Sequence, residues 1–207
     1  MSDENISIFL VEDNELIRSA VSAALGGIPG FEVVGQAADG AAAIAEILLR
    51  PPSLALVDIG LPKVDGIEVT KRVKQQLPGL KAIMLTSHDS DEDMFASFQA
   101  GANGYIIKEG FSKAKLEVAI RTVTSGSSWL DPLIAQRVLQ VAENADKLNL
   151  TRNEKSYLEK VADTSENRVA GDQANALKEL ADDHMDEAWD SFMHRLMSFQ
   201  ETTSEQN

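Results

Sequence analysis

Residues 54–66 read Leu54-Ala55-Leu56-Val57-Asp58-Ile59-Gly60-Leu61-Pro62-Lys63-Val64-Asp65-Gly66. From Leu54 to Ile59 the run is apolar except for Asp58, with no period-two alternation, so it reads as a strand buried on both faces. Runs of the same kind stand on either side: Ile6 to Val11, Phe31 to Val34, Ala82 to Thr86 and Tyr105 to Ile107. Between them lie segments with helical spacing, namely Leu16 to Leu25, Ala41 to Leu49, Val69 to Leu77 and Met94 to Ala100, and a fifth, Leu116 to Val123, follows the last strand. Gly26-Gly27, Pro29-Gly30, Pro51-Pro52 and Pro78-Gly79 punctuate the change-overs. Strict alternation of fully apolar strands with helices predicts an α/β fold, a five-stranded doubly wound parallel sheet covered on both faces.

The composition removes several function classes. The chain has 207 residues, 43% hydrophobic and 25% charged, enough for one large or two small domains rather than a disordered tail. It has no cysteine, which excludes disulfides, a thiol nucleophile, zinc thiolate sites and iron–sulfur clusters. No apolar run approaches the roughly 18 to 20 residues of a membrane span, and the acidic start, MSDENISIFLVED, is not signal-like. A cytoplasmic protein without membrane contact is expected. Nineteen Lys and Arg against 33 Asp and Glu leave a charge of −14, which opposes binding to phosphate backbones.

In an open parallel sheet the carboxyl ends of the strands line the functional crevice. The polar residues ending the runs are Glu12 and Asp13, Asp58, Thr86 and Ser87, and Lys108. Three carboxylates converging on one point repel one another unless their pKa values rise or a cation binds. Mg²⁺ suits such a site, because it takes a few carboxylates and keeps water positions open for a phosphoryl oxygen. With Mg²⁺ and Lys108 offsetting charge and Thr86 offering a hydroxyl, Asp58 becomes a candidate nucleophile toward a phospho-donor. Taken singly, an Asp at a strand end is more often a cap or a solvated residue, Thr86 a β-branched strand residue, and Tyr105 a half-buried ring. The positions together reverse that judgement. His88, His184 and His194 show no metal-ligand pairing.

Glu12-Asp13, Asp58 with its Leu61-Pro62-x-x-Asp65-Gly66 tail, Thr86, and Ala100-Gly101-Ala102-x-Gly104-Tyr105-x-x-Lys108 resemble the signature set of two-component receiver domains. The resemblance covers residues 5 to about 126. It implies Asp58 as phosphoacceptor, Asp13, Asp58 and the Gly60 carbonyl as Mg²⁺ ligands, and Glu12 as a direct or outer-shell acidic partner. It further implies Thr86 and Lys108 as phosphate contacts, Tyr105 as an aromatic switch turning inward with Thr86, and a histidine kinase as phospho-donor. Glu109 stands where the family often has proline, a departure that resembles the NarL/FixJ-type branch, as does Gly104-Tyr105-Ile106-Ile107-Lys108-Glu109. Gly60, two residues after Asp58, is expected to leave water access to the phosphate open. Beyond its own phosphorylation and dephosphorylation no enzymatic turnover is expected.

The expected plan is a receiver over 1–126, a linker with a helix over 127–149, an acidic all-α output domain over 150–200 and a disordered tail over 201–207. Asp131-Pro132 opens the linker helix, expected to run to about Val141. Leu150 to Asp163 resembles the opening of the NarL/FixJ DNA-binding domain, with a capping-box spacing at Thr151-Arg152-Asn153-Glu154, and the likeness then fades. A long stripe follows through Leu177, Leu180, His184, Ala188, Phe192, Leu196 and Phe199. From Asp172 to Asp190 seven acidic residues face Lys178 alone, a net of −6; over 150–207 thirteen acidic residues meet six basic ones, a net of −7. Duplex binding depends on neutralising phosphates, so this surface predicts a degenerate output that works through a protein partner or a homodimer. The alternative is a phosphorylation-controlled DNA-binding regulator using Arg152, Lys155, Lys160 and Arg168. A third reading, a metal-dependent phosphohydrolase, lacks a second carboxylate placed as general acid or base.

Overall fold

The five apolar runs are five parallel strands. In the computed structural model, which describes residues 5–87, 90–109 and 112–135, they are β1 (Ile6–Val11), β2 (Phe31–Ala37), β3 (Leu54–Val57), β4 (Lys81–Thr86) and β5 (Gly104–Ile107). They alternate with α1 (Glu15–Gly26), α2 (Gly40–Leu49), α3 (Gly66–Gln76), α4 (Asp91–Gln99) and α5 (Lys113–Thr124). The sheet order is β2-β1-β3-β4-β5, with a two-residue β6 (Trp129–Leu130) added at the β5 edge. Each of the four pairs among β1 to β5 is parallel. The short sixth strand is not legible as a pattern, because two residues carry no period; its place is set by the Trp129 N–H, which donates to the Asn103 carbonyl at 3.0 Å.

Position in the sheet explains how each strand reads. All four residues of β3 and of β5 are buried, and β4 is buried from Ala82 onward. The edge strand β2 alternates instead, so its apolar signal fades after Val34 although the strand continues to Ala37. The pairing of β1 with β2 shifts between Ile8 and Phe9, which leaves Val34 as an extra residue. Gly35 then lies under the Phe9 ring, where a Cβ would stand 2.4 Å from a ring carbon.

Each helix opens on a side-chain oxygen that accepts a backbone N–H of its first turn: Asn14, Asp39, Asp65, Ser90 and Ser112. Three- and four-residue spacing turns one face of each helix inward, as with Val21 and Leu25 of α1, Val69 and Val73 of α3, and Leu116, Ala119, Ile120 and Val123 of α5, all buried. At roughly 1.5–3 kcal/mol per buried Val or Leu side chain, these faces hold the helices to the sheet.

The chain divides into two units, one through Trp129 and one from Leu130. In the second, residues 132–135 are helical and the Asp131 carboxylate accepts the Leu133 N–H at 3.1 Å, the cap read from Asp131-Pro132. The expected continuation of the linker helix to about Val141, the 150–200 output domain and the 201–207 tail lie outside the described residues. Among the described residues no helix is long and apolar enough to cross a membrane.

Candidate functional site

The chain leaves β1 for β2 on one side and returns to β3 on the other, so a crevice opens at the carboxyl ends of β1 and β3. Backbone bonds one residue past each strand set what stands there. The Glu12 N–H donates to Ala37 O at 3.1 Å, the Asp58 N–H to Val11 O at 2.9 Å, and the Lys108 N–H to Thr86 O at 2.7 Å. Glu12, Asp58, Thr86 and Lys108 therefore occupy one edge of the sheet, held by the main chain rather than by their own side chains.

Lys108 joins the acids. Its Nζ lies 2.6 Å from Glu12 Oε2 and 2.9 Å from Asp58 Oδ2, with both carboxylate side chains over nine-tenths buried. Carboxylate oxygens of Glu12, Asp13 and Asp58 lie within 4.8 Å of one another, and Asp13 alone of the three is exposed. Burial raises the Glu12 pKa above its ordinary value; the hydrogen bond from Lys108 opposes the rise, and the neighbouring Asp58 adds to it. Asp58 Oδ1 is buried with no hydrogen-bond partner. When ionised, three carboxylates against one ammonium leave two negative charges, the complement of a divalent cation. Octahedral Mg²⁺ about 2.1 Å from each ligand sets cis oxygens about 3 Å apart and trans oxygens about 4.2 Å apart, so the three carboxylates, whose oxygens lie within 4.8 Å of one another, suit the ion in charge and chemistry and must draw closer together to hold it.

The loop after Asp58 is held as tightly as the acids. The Gly66 N–H donates to Ile59 O at 2.9 Å and the Leu61 N–H to the same carbonyl at 2.8 Å, which leaves Gly60 exposed between them. Lys63 has a φ of 67°, a left-handed conformation for a residue with a Cβ, and its Nζ lies 2.8 Å from Asp39 Oδ2. Thr86 and Tyr105 are fully buried, and the Tyr105 ring stands inward with its centroid 6.2 Å from that of Phe98.

Arg18, in the first turns of α1, is outside any motif read from the sequence. Its Nη1 donates to the Glu12 carbonyl at 2.7 Å and to the Asp13 carbonyl at 3.2 Å. No periodicity signals a side chain that binds main-chain oxygens. Asn103 is similar: its Oδ1 accepts from Ala82 N–H at 3.1 Å and from Lys74 Nζ at 3.2 Å, joining α3, β4 and the start of β5.

A parallel 2-1-3-4-5 sheet with an acidic cluster and a lysine at its switch point defines a receiver fold, and the family model for the response regulator receiver domain matches residues 8–121. The chain belongs to that family. It is 33% identical over 173 residues to the DNA-binding transcriptional activator DevR/DosR of Mycobacterium tuberculosis, covering 81% of this chain and 79% of that one. It is 31% identical over 173 residues to the transcriptional regulatory protein LiaR of Bacillus subtilis, covering 81% and 82%. Among solved structures it resembles a LuxR-family two-component response regulator from Aurantimonas, with TM-score 0.63 and 29% identity over 66% of this chain and 97% of that one.

Proposed function

We propose that this response regulator is phosphorylated on Asp58 with Mg²⁺ bound at Asp13, Asp58 and the Gly60 carbonyl, Glu12 serving as a direct or outer-shell partner. The observation carrying the reading is Asp58 itself: buried at the carboxyl end of β3, paired through one oxygen with Lys108 at 2.9 Å, and holding its other oxygen without a partner. When bound, Mg²⁺ supplies charge neutralisation for the phosphoryl oxygens. An Asp58 oxygen attacks phosphorus, a new O–P bond forms, and the bond to the donor's leaving group breaks with its electron pair leaving on the donor. The donor is a phosphohistidine of a kinase or a small acyl phosphate. Lys108 then shifts from the bare carboxylates toward the phosphoryl oxygens, and the Thr86 hydroxyl donates to another.

In this reading the phosphoryl group stabilises the arrangement with Thr86 and Tyr105 inward, which biases the face built by α4, β5 and α5. The net charge of −7 over 150–207 supports an output through protein contacts or a homodimer. The similarity to the activator named DNA-binding over 173 residues, well past the receiver, favours the second reading, a DNA-binding regulator. Acetyl phosphate with Mg²⁺ should label the full chain and leave Asp58→Ala unlabelled; equal labelling of the variant refutes the assignment. Fluorescence anisotropy with genomic duplexes at low salt, with beryllofluoride bound, separates the outputs, since salt-sensitive binding selects the DNA reading.

A further inference from the structure

We propose that Arg18 is a positioning residue for the acidic site, fixing the main chain of Glu12 and Asp13 so that their carboxylates meet Asp58. The inference rests on the Mg²⁺-site reading above. A helical side chain leans toward the helix N-terminus, so Arg18, four residues past the Asn14 cap, folds back over the turn between β1 and α1. One guanidinium nitrogen carries two hydrogens, and the Glu12 and Asp13 carbonyls accept them at 2.7 and 3.2 Å. The same turn is braced by Glu12 Oε1, which accepts the Asn14 N–H at 3.2 Å, and by Asn14 Oδ1, which accepts from Leu16 and Ile17 at 3.0 and 3.1 Å. Glu12 is locked by burial and by Lys108 as well, whereas Asp13 is exposed and its carboxylate makes no hydrogen bond or ion pair among the described residues. The bond from Arg18 to its main-chain carbonyl is therefore, with the Asn14 N–H bond to Glu12, what aims it.

Two roles for Arg18 give opposite signs. As a mere positive charge near the site it repels Mg²⁺, and its removal tightens metal binding. As a positioning residue it preorganises the ligand turn, and its removal weakens binding despite the lost repulsion. Titration of Mg²⁺ into the ¹⁵N-labelled full chain, followed through the amides of Asp13, Asn14 and Asp58, reads the sign directly and reports folding in the same spectra. Arg18→Met is expected to weaken Mg²⁺ about 10-fold, the lower end for loss of a ligand-supporting partner. Arg18→Lys, which keeps the charge and can donate to both carbonyls but ends one bond shorter, should fall between. At saturating Mg²⁺ the acetyl phosphate labelling rate of Arg18→Met should recover toward wild type. Mg²⁺ affinity in a folded Arg18→Met or Arg18→Lys protein equal to or tighter than wild type overturns the inference. Absence of saturable shifts in the wild type itself overturns the metal reading instead, and the two failures are distinct.

Discussion

Gly66→Ala separates local from tertiary control of the site. Gly66 is the first residue of α3, after the Asp65 cap, and its φ is not positive. Helix propensity alone then favours alanine by roughly 0.5–1 kcal/mol. The surroundings forbid it: a Cβ at residue 66 would stand 1.9 Å from the Asp58 carbonyl oxygen, 2.7 Å from its carbon and 3.0 Å from Ile59 Cα. All three obstacles are main chain, so no side chain can rotate away, and the β3–α3 loop must open by about 1 Å or more to reach an ordinary contact. Overpacking of this kind costs about 1–3 kcal/mol, and a backbone obstacle places it near about 3. That lowers the folded-to-unfolded ratio about 100-fold. Urea unfolding, followed by amide exchange in β1 and β3, measures it. Gly26→Ala is the control, since nothing lies within 4 Å of its Cβ and alanine suits the last turn of α1. The remaining folded Gly66→Ala protein should also label more slowly, because the displaced atoms belong to Asp58. Stability within about 0.5 kcal/mol of wild type would refute the reasoning, for it would mean that the loop yields without strain.

Lys108→Met should leave Glu12 and Asp58 buried without their shared counter-ion, lowering stability in EDTA by about 3 kcal/mol, the low end for a broken buried pair because Glu12 is already inclined to hold a proton. Added Mg²⁺ should raise the melting temperature of this variant more than that of wild type; equal melting of the two proteins in EDTA would contradict the pairing. Asp39, bonded to Lys63 and to the Ala42 N–H, has its pKa lowered first by Lys63 and then by the backbone donor. Its stabilisation is present above the unfolded value of 3.8 and is lost as pH falls through the lowered one, so Asp39→Asn should flatten that part of the acid-unfolding profile. An unchanged acid limb in Asp39→Asn would count against the pair.

The alternation of apolar runs with helical segments determined the doubly wound sheet, because burial on both faces requires strands without polar residues, and β3 and β5 have none between their ends. The order of polar residues after those runs likewise determined which side chains share the crevice, since parallel strands bring their carboxyl ends to one edge. Where burial is partial the pattern thins, as in β2 beyond Val34, and where an element has two residues, as in β6, no pattern exists. Only the tertiary structure decided that one lysine serves both Glu12 and Asp58, that Asp58 keeps an oxygen without a partner, and that Arg18 and Gly66 shape the site. The physical reason is that periodicity records which side chains leave water, whereas these features depend on how closely a side chain or a Cβ approaches main-chain atoms distant in sequence or folded back upon it.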